Sequence, residues 1–301
     1  MLAAAALLLL AVAPAWGEGG LRVVTTSTDL KALVEAVGEE AVHVKSLAPA
    51  IHEPHSVEVK PGQLADLRSA DLLVRIGLDH EPWLTPVLDT VGDARFRAGG
   101  PAVVDCSRGV ELLDTETARV KSARAVHVHG FGNPHYWLDP ESARPITRAI
   151  ADGLARVAPG ERARFEAARS RFLEELDARL ARWSRAMAPY RGTRVVVVHE
   201  TWPYFARRFG LVVVAAVEPS PGVPPSPAHL ADLTKRMKDS GVRLVIAGPE
   251  SDVSVVDHVA ARGGARGVTL IPSVGGDPLA RDYLALFDVN IERLTWALAR
   301  R

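Results

Sequence analysis

The chain has 301 residues, 48% of them hydrophobic and 24% charged, a balance that suits a globular protein and excludes a disordered or fibrous one. Lys plus Arg and Asp plus Glu each number 36, so net charge gives no argument for a nucleic-acid or anionic membrane partner. The length allows one large domain or two smaller ones.

Residues 1–17, "MLAAAALLLLAVAPAWG", hold an uncharged apolar run from Leu2 to Val12 that is too short to cross a bilayer. It ends in the small-x-small triplet Ala15-Trp16-Gly17, followed by polar residues. This is the pattern of a secretory signal peptide, although no Lys or Arg precedes the run. Cys106 is the only cysteine, so no internal disulfide forms and no cysteine stands at the cleavage point to take a lipid. The expected mature protein is soluble, outside the cytoplasm and not lipid-anchored. No second apolar run is long enough for a membrane span.

Beyond the leader, short apolar runs alternate with amphipathic stretches. "LRVVTTS" at 21–27 reads as a β-branched strand, and Thr28-Asp29 as the cap of the helix that follows. "VHVKSLAP" is the next strand and "PGQLADLRSA" a helix opened by proline. "DLLVRIGL" is a buried strand, "EPWLTPVLDTVG" a helix and "AVVDC" a strand. This alternation over 18–160 predicts βαβ units and a parallel sheet. Residues 161–188 contain no Gly or Pro, and Phe165, Phe172, Leu176, Leu180 and Trp183 recur at helical spacing. One long connecting helix, roughly 40 Å at about 1.5 Å per residue, is expected there. The alternation restarts over 189–301 with "RVVVVHE", a helix closed by Gly210, "LVVVAAV", a capped helix ending in Gly241, "VRLVIAGP" and a final helix "LARDYLALFDVNIERLTWALARR". The fold class is therefore α/β: two lobes, each with a mostly parallel sheet flanked by helices, joined by one rigid helix.

Ligands of open parallel sheets bind beyond the carboxyl ends of the strands. Three histidines suit that place: His55 after the second strand, His135 in the turn "GNPHYWLDP", and His199 closing "RVVVVHE". Coming from both lobes, they meet only in a cleft between them. A lone histidine is more often structural, but a polar residue ending a run of four valines is poorly explained by packing. His43, His80, His229 and His258 read as structural or solvated. "HEPH" at His52 has the wrong spacing, and a proline, for a metalloprotease helix. Three imidazoles with at most one oxygen donor favour zinc over manganese.

These segments resemble the zinc/manganese substrate-binding receptors of bacterial ABC importers, the cluster A-I metal receptors, in their soluble periplasmic zinc-type subgroup. "PHSVEVKPGQLADLRSADLLVRIGLDHEPWL", "GNPHYWLDP", "VVVHETWPYFARRFGL", "VEPSPGVPPSPAHLADL" and "DYLALFDVNIERL" carry the likeness over nearly the whole mature chain. The resemblance implies a Zn²⁺ cargo held by His55, His135 and His199 and delivered to an ABC permease in the inner membrane. It implies a periplasmic monomer that binds no nucleic acid. The family's fourth ligand, an Asp near the end of the last strand, is absent where this chain reads "IPSVGG". Asp277 is the nearest replacement, with Glu250 or water as alternatives. His127 and His129 occupy the place of a His-rich loop. They read either as collectors of zinc, from solution or from a periplasmic donor protein, or as ordinary loop residues. A zinc hydrolase with Glu200 as base is the competing reading, disfavoured because neighbours at a strand end point opposite ways. An adhesin rests on fold analogy alone.

Overall fold

The computed structural model describes residues 20–51, 57–113, 132–219 and 223–300. The leader at 1–17, and His52, His55, His127 and His129, lie outside them.

β-Branched and leucine-rich runs build two sheets. The first holds β1 (Leu21–Thr25), β2 (Val42–Ser46), β3 (Leu72–Arg75) and β4 (Val103–Asp105), all parallel in the order β2-β1-β3-β4. The second holds β5 (Arg194–Val197), β6 (Val212–Ala216), β7 (Leu244–Ala247) and β8 (Arg266–Thr269), parallel in the matching order β6-β5-β7-β8. In each sheet the chain leaves the first strand to one side and then crosses to the other. That creates a switch point at the carboxyl ends of β1 and β3, and another at those of β5 and β7.

Helices α1 (Thr28–Gly38), α2 (Pro61–Ser69), α3 (Leu84–Val91) and α4 (Ala143–Val157) belong to the first sheet. The expected cap at Thr28-Asp29 shifts by one residue: Ser27 caps α1 through a 3.2 Å bond from Leu30 N–H, and Asp29 sits buried in the first turn. Sequence reading passed over α4, because Pro145 and Gly153 look like breakers. Pro145 is tolerated in the first turn. Gly153 is where the helix presses on the sheet, since a Cβ there would stand 2.2 Å from Val104.

The long helix α5 runs Arg162–Met187, between 3₁₀ turns at Pro159–Glu161 and Ala188–Tyr190. Its buried stripe is Phe165, Ala168, Phe172, Leu176, Leu180, Trp183 and Met187. This stripe joins one continuous core that takes in Val23 and Leu30 of the first lobe and Val195, Phe205 and Phe287 of the second. Around the second sheet lie α6 (Pro203–Phe209), α7 (Pro227–Ser240), α8 (Val253–Gly263) and α9 (Tyr283–Ala299). Sequence reading also passed over α8 and β8; β8 is a short edge strand in which only Val268 is buried. No helix among the described residues is long and apolar enough to cross a membrane.

Polar ties lock the lobes together. Asp139, 2% exposed, accepts from Arg208 Nε at 2.6 Å and Nη2 at 2.9 Å. The Asp29 carboxylate accepts from Val274 N–H at 2.9 Å, and Trp137 Nε1 donates to the Pro272 carbonyl at 3.0 Å.

Candidate metal centre

Both switch points open on one cavity of about 370 Å³, lined from the first lobe by Asp29, His80, Glu81, His135 and Trp137 and from the second by His199, Glu218 and Glu250.

His135 is held from three directions. Asn133 Oδ1 accepts from the His135 backbone N–H at 2.9 Å and lies 3.1 Å from its Nδ1. The same Asn133 donates through Nδ2 to the Glu200 carbonyl at 2.9 Å, which fixes which end of the amide faces the imidazole. The Trp137 ring lies 5.2 Å from the His135 ring, and Tyr136 is anchored by a 2.6 Å bond from its hydroxyl to the Ile76 carbonyl. The imidazole is 4% exposed.

His199 lies two residues beyond β5, and its Nδ1 is 2.9 Å from Glu218 Oε2. Strand register explains this pair: Val197 stands beside Ala216, so His199 and Glu218, each two residues further on, come side by side. With an oxygen beside Nδ1 of each ring, Nε2 is the nitrogen of each that could take a metal, the arrangement that orients metal-binding imidazoles. The His135 and His199 ring centres are 6.0 Å apart at 78°.

His80 was expected to be structural or solvated; the structure sets it, 5% exposed, in the wall of this cavity. Its ring centre is 5.5 Å from that of His135 and 5.1 Å from that of Trp137. The turn presenting it is strained. Gly77, Leu78 and Asp79 have φ of 84°, 56° and 55°, and a left-handed non-glycine residue costs on the order of 1–3 kcal/mol. The buried Glu81 carboxylate holds the turn, accepting from Thr26 Oγ1 at 2.6 Å, Ile76 N–H at 2.6 Å and Gly77 N–H at 3.0 Å. Burial raises the Glu81 carboxyl above its ordinary range, opposed by the Arg75 charge and these hydrogen bonds. Burial likewise pushes Asp29 up to about 7, against hydrogen bonds from Val274 and Ser273.

Asp277 is not brought to this cavity. Its carboxylate accepts from Leu279 N–H at 2.8 Å and pairs with Arg293 of α9, while Pro272 and Ser273 are the residues of the "IPSVGG" loop that reach the wall. Glu200 is exposed and borders a separate surface hollow with Ala215, Asp232 and Arg236. Among the described residues, no three His, Cys, Asp or Glu side chains already stand close enough to hold an ion. The sequence reading missed His80 and Glu218. A regular register from Arg194–Val212 would set His199 beside Val217, and the irregularity between Val195 and Val196 brings Glu218 there instead; His80 depends on backbone handedness that composition does not show.

Two doubly wound lobes locked through one core, with imidazoles from both facing a shared buried cleft, define a cleft-type binding protein. Residues 23–297 match the family model described as "Zinc-uptake complex component A periplasmic", ZnuA, and the chain belongs to that family. The high-affinity zinc uptake system protein ZnuA of Yersinia pestis is 25% identical over 276 residues, covering 88% of this chain and 87% of that protein. The zinc-binding lipoprotein AdcA of Streptococcus pneumoniae is 24% identical over 284 residues, covering 92% of this chain and 56% of AdcA. This chain thus spans about half the length of that streptococcal relative. A crystal structure of ZnuA superposes with a TM-score of 0.77 at 26% identity, covering 92% of this chain and 99% of that one.

Proposed function

We infer that the protein is a periplasmic receptor that captures Zn²⁺ and hands it to an ABC-type permease without catalysing a reaction. The observation that carries this is the His135–His199 pair: ring centres 6.0 Å apart, contributed by different lobes, each Nδ1 held by an oxygen. Family membership and the zinc-binding relatives support zinc as the cargo. The ligand set proposed is His55, His135 and His199, the first lying outside the described residues. Asp277 is left out of it, because its carboxylate serves Leu279 and Arg293. The hydrolase reading loses support because Glu200 is exposed away from the cavity.

The mature receptor is proposed to be a soluble monomer without a lipid anchor. His127 and His129 are proposed to speed loading, from solution or from a donor protein, while adding little to equilibrium affinity. Titration of the metal-free protein with Zn²⁺, read by native mass spectrometry beside single Ala variants of His55, His135 and His199, tests the site. Each variant should lose at least about 10-fold in affinity. Wild-type affinity in any one removes that residue from the set.

A further inference from the structure

We propose that His80 supplies a fourth imidazole to the metal, in place of the carboxylate that the "IPSVGG" loop lacks. The proposal rests on the zinc-receptor reading above and adds to it a residue and a selectivity.

Geometry comes first. Two imidazoles on one tetrahedral zinc, each bonded at about 2.0–2.1 Å, place their ring centres about 5 Å apart. The His80 and His135 rings stand at 5.5 Å, nearly perpendicular at 81°, and His135 and His199 at 6.0 Å. His135 is thus close to both of the others, and the proposal has the three imidazoles converge on a common ion when the metal is bound.

The other oxygen donors are less well placed. Asp277 is occupied by Arg293 and Leu279, and Glu81 by three donors of the turn; Asp29 accepts from Val274 N–H through Oδ1, while its Oδ2 has no hydrogen-bond partner among the described residues. Glu250 borders the cavity but is exposed, whereas His80 is 5% exposed. The backbone argument points the same way. Three successive left-handed residues, pinned by Glu81, aim an imidazole into the cavity from the switch point of the first sheet. Strain held in place by surrounding structure is a mark of a functional position.

The consequence is selectivity. An all-nitrogen shell suits zinc and disfavours manganese, which prefers oxygen donors. The dication's charge is then balanced from the wall by Glu218, behind His199.

The test compares His80→Leu, which keeps the bulk of the side chain, with His135→Ala and Glu250→Gln in the full mature chain. X-ray absorption on the zinc-loaded proteins counts imidazoles, and competitive titration gives Zn²⁺ and Mn²⁺ affinities. The proposal expects His80→Leu to lose one imidazole, to weaken zinc by at least about 10-fold and to narrow the zinc-over-manganese ratio. Metal-free melting should stay close to wild type. An unchanged imidazole count in His80→Leu while His135→Ala loses zinc overturns this inference alone. Loss of an oxygen scatterer in Glu250→Gln assigns the fourth position to that carboxylate. If His135→Ala also binds zinc normally, the receptor site itself is wrong.

Discussion

Glu218 Oε2 lies 2.9 Å from Nδ1 of His199, two residues beyond the end of adjacent parallel strands. The carboxylate fixes the ring's tautomer and makes Nε2 a stronger donor. Glu218→Ala should weaken zinc by about 10- to 100-fold, with Glu218→Gln in between because its amide oxygen still accepts from Nδ1–H. Isothermal titration checks this; wild-type affinity in the Ala variant would remove Glu218 from the site.

Asp29 gives the metal-free protein a pH-dependent stability. Its carboxyl titrates near 3.8 when unfolded and is pushed up to about 7 by burial, so folding favours the protonated form. That stabilisation is fully present below about pH 4 and is lost as pH rises through about 7, by at most about 4 kcal/mol. Asp29→Asn keeps the acceptor for Val274 N–H and does not titrate. The variant's melting temperature should therefore gain on wild type between pH 5 and pH 8. Parallel curves would show that Asp29 does not carry the effect.

Asp139 is a bolt between the lobes. Asp139→Ala leaves the Arg208 guanidinium, whose side chain is 33% exposed, facing an empty buried slot. Breaking a buried pair costs about 3–5 kcal/mol, and partial exposure of the arginine reduces this to about 2–3 kcal/mol. Urea unfolding should show the loss as a lower midpoint at unchanged slope.

Asp277→Asn should bind zinc within about 2-fold of wild type, since the carboxylate serves Arg293 rather than the cavity. A loss of 10-fold or more would return Asp277 to the ligand set.

Much of the architecture was legible because local chemistry and fold agree. Val23-Val24 and Val195 to Val197 are buried central strands, and Gly210 and Gly241 end their helices in the left-handed region. His135 and His199 stood out because a rigid turn and a strand end are poor places for an idle imidazole. Legibility failed where tertiary contact decides. Pro145 and Gly153 disguised α4, though Gly153 is what lets that helix approach Val104. Asp277 looked available because Arg293, on a helix that returns past it, is distant in sequence. His80 sat beside an ordinary-looking Gly-Leu-Asp, and only the handedness of those three residues turns it inward.

The core that runs unbroken from Val23 through Phe172 to Phe287 makes the two lobes a single thermodynamic unit. Each lobe adds a smaller cluster of its own, around Val24 and Leu73 in the first and Val196 and Val245 in the second, but both rest on the shared core, so calorimetry should show one transition with equal calorimetric and van't Hoff enthalpies. Any cargo bound in the cleft then raises that one midpoint for the whole molecule, by RT ln(1 + [L]/Kd). The melting temperature thereby becomes a gauge of site occupancy, readable without any probe placed near the histidines.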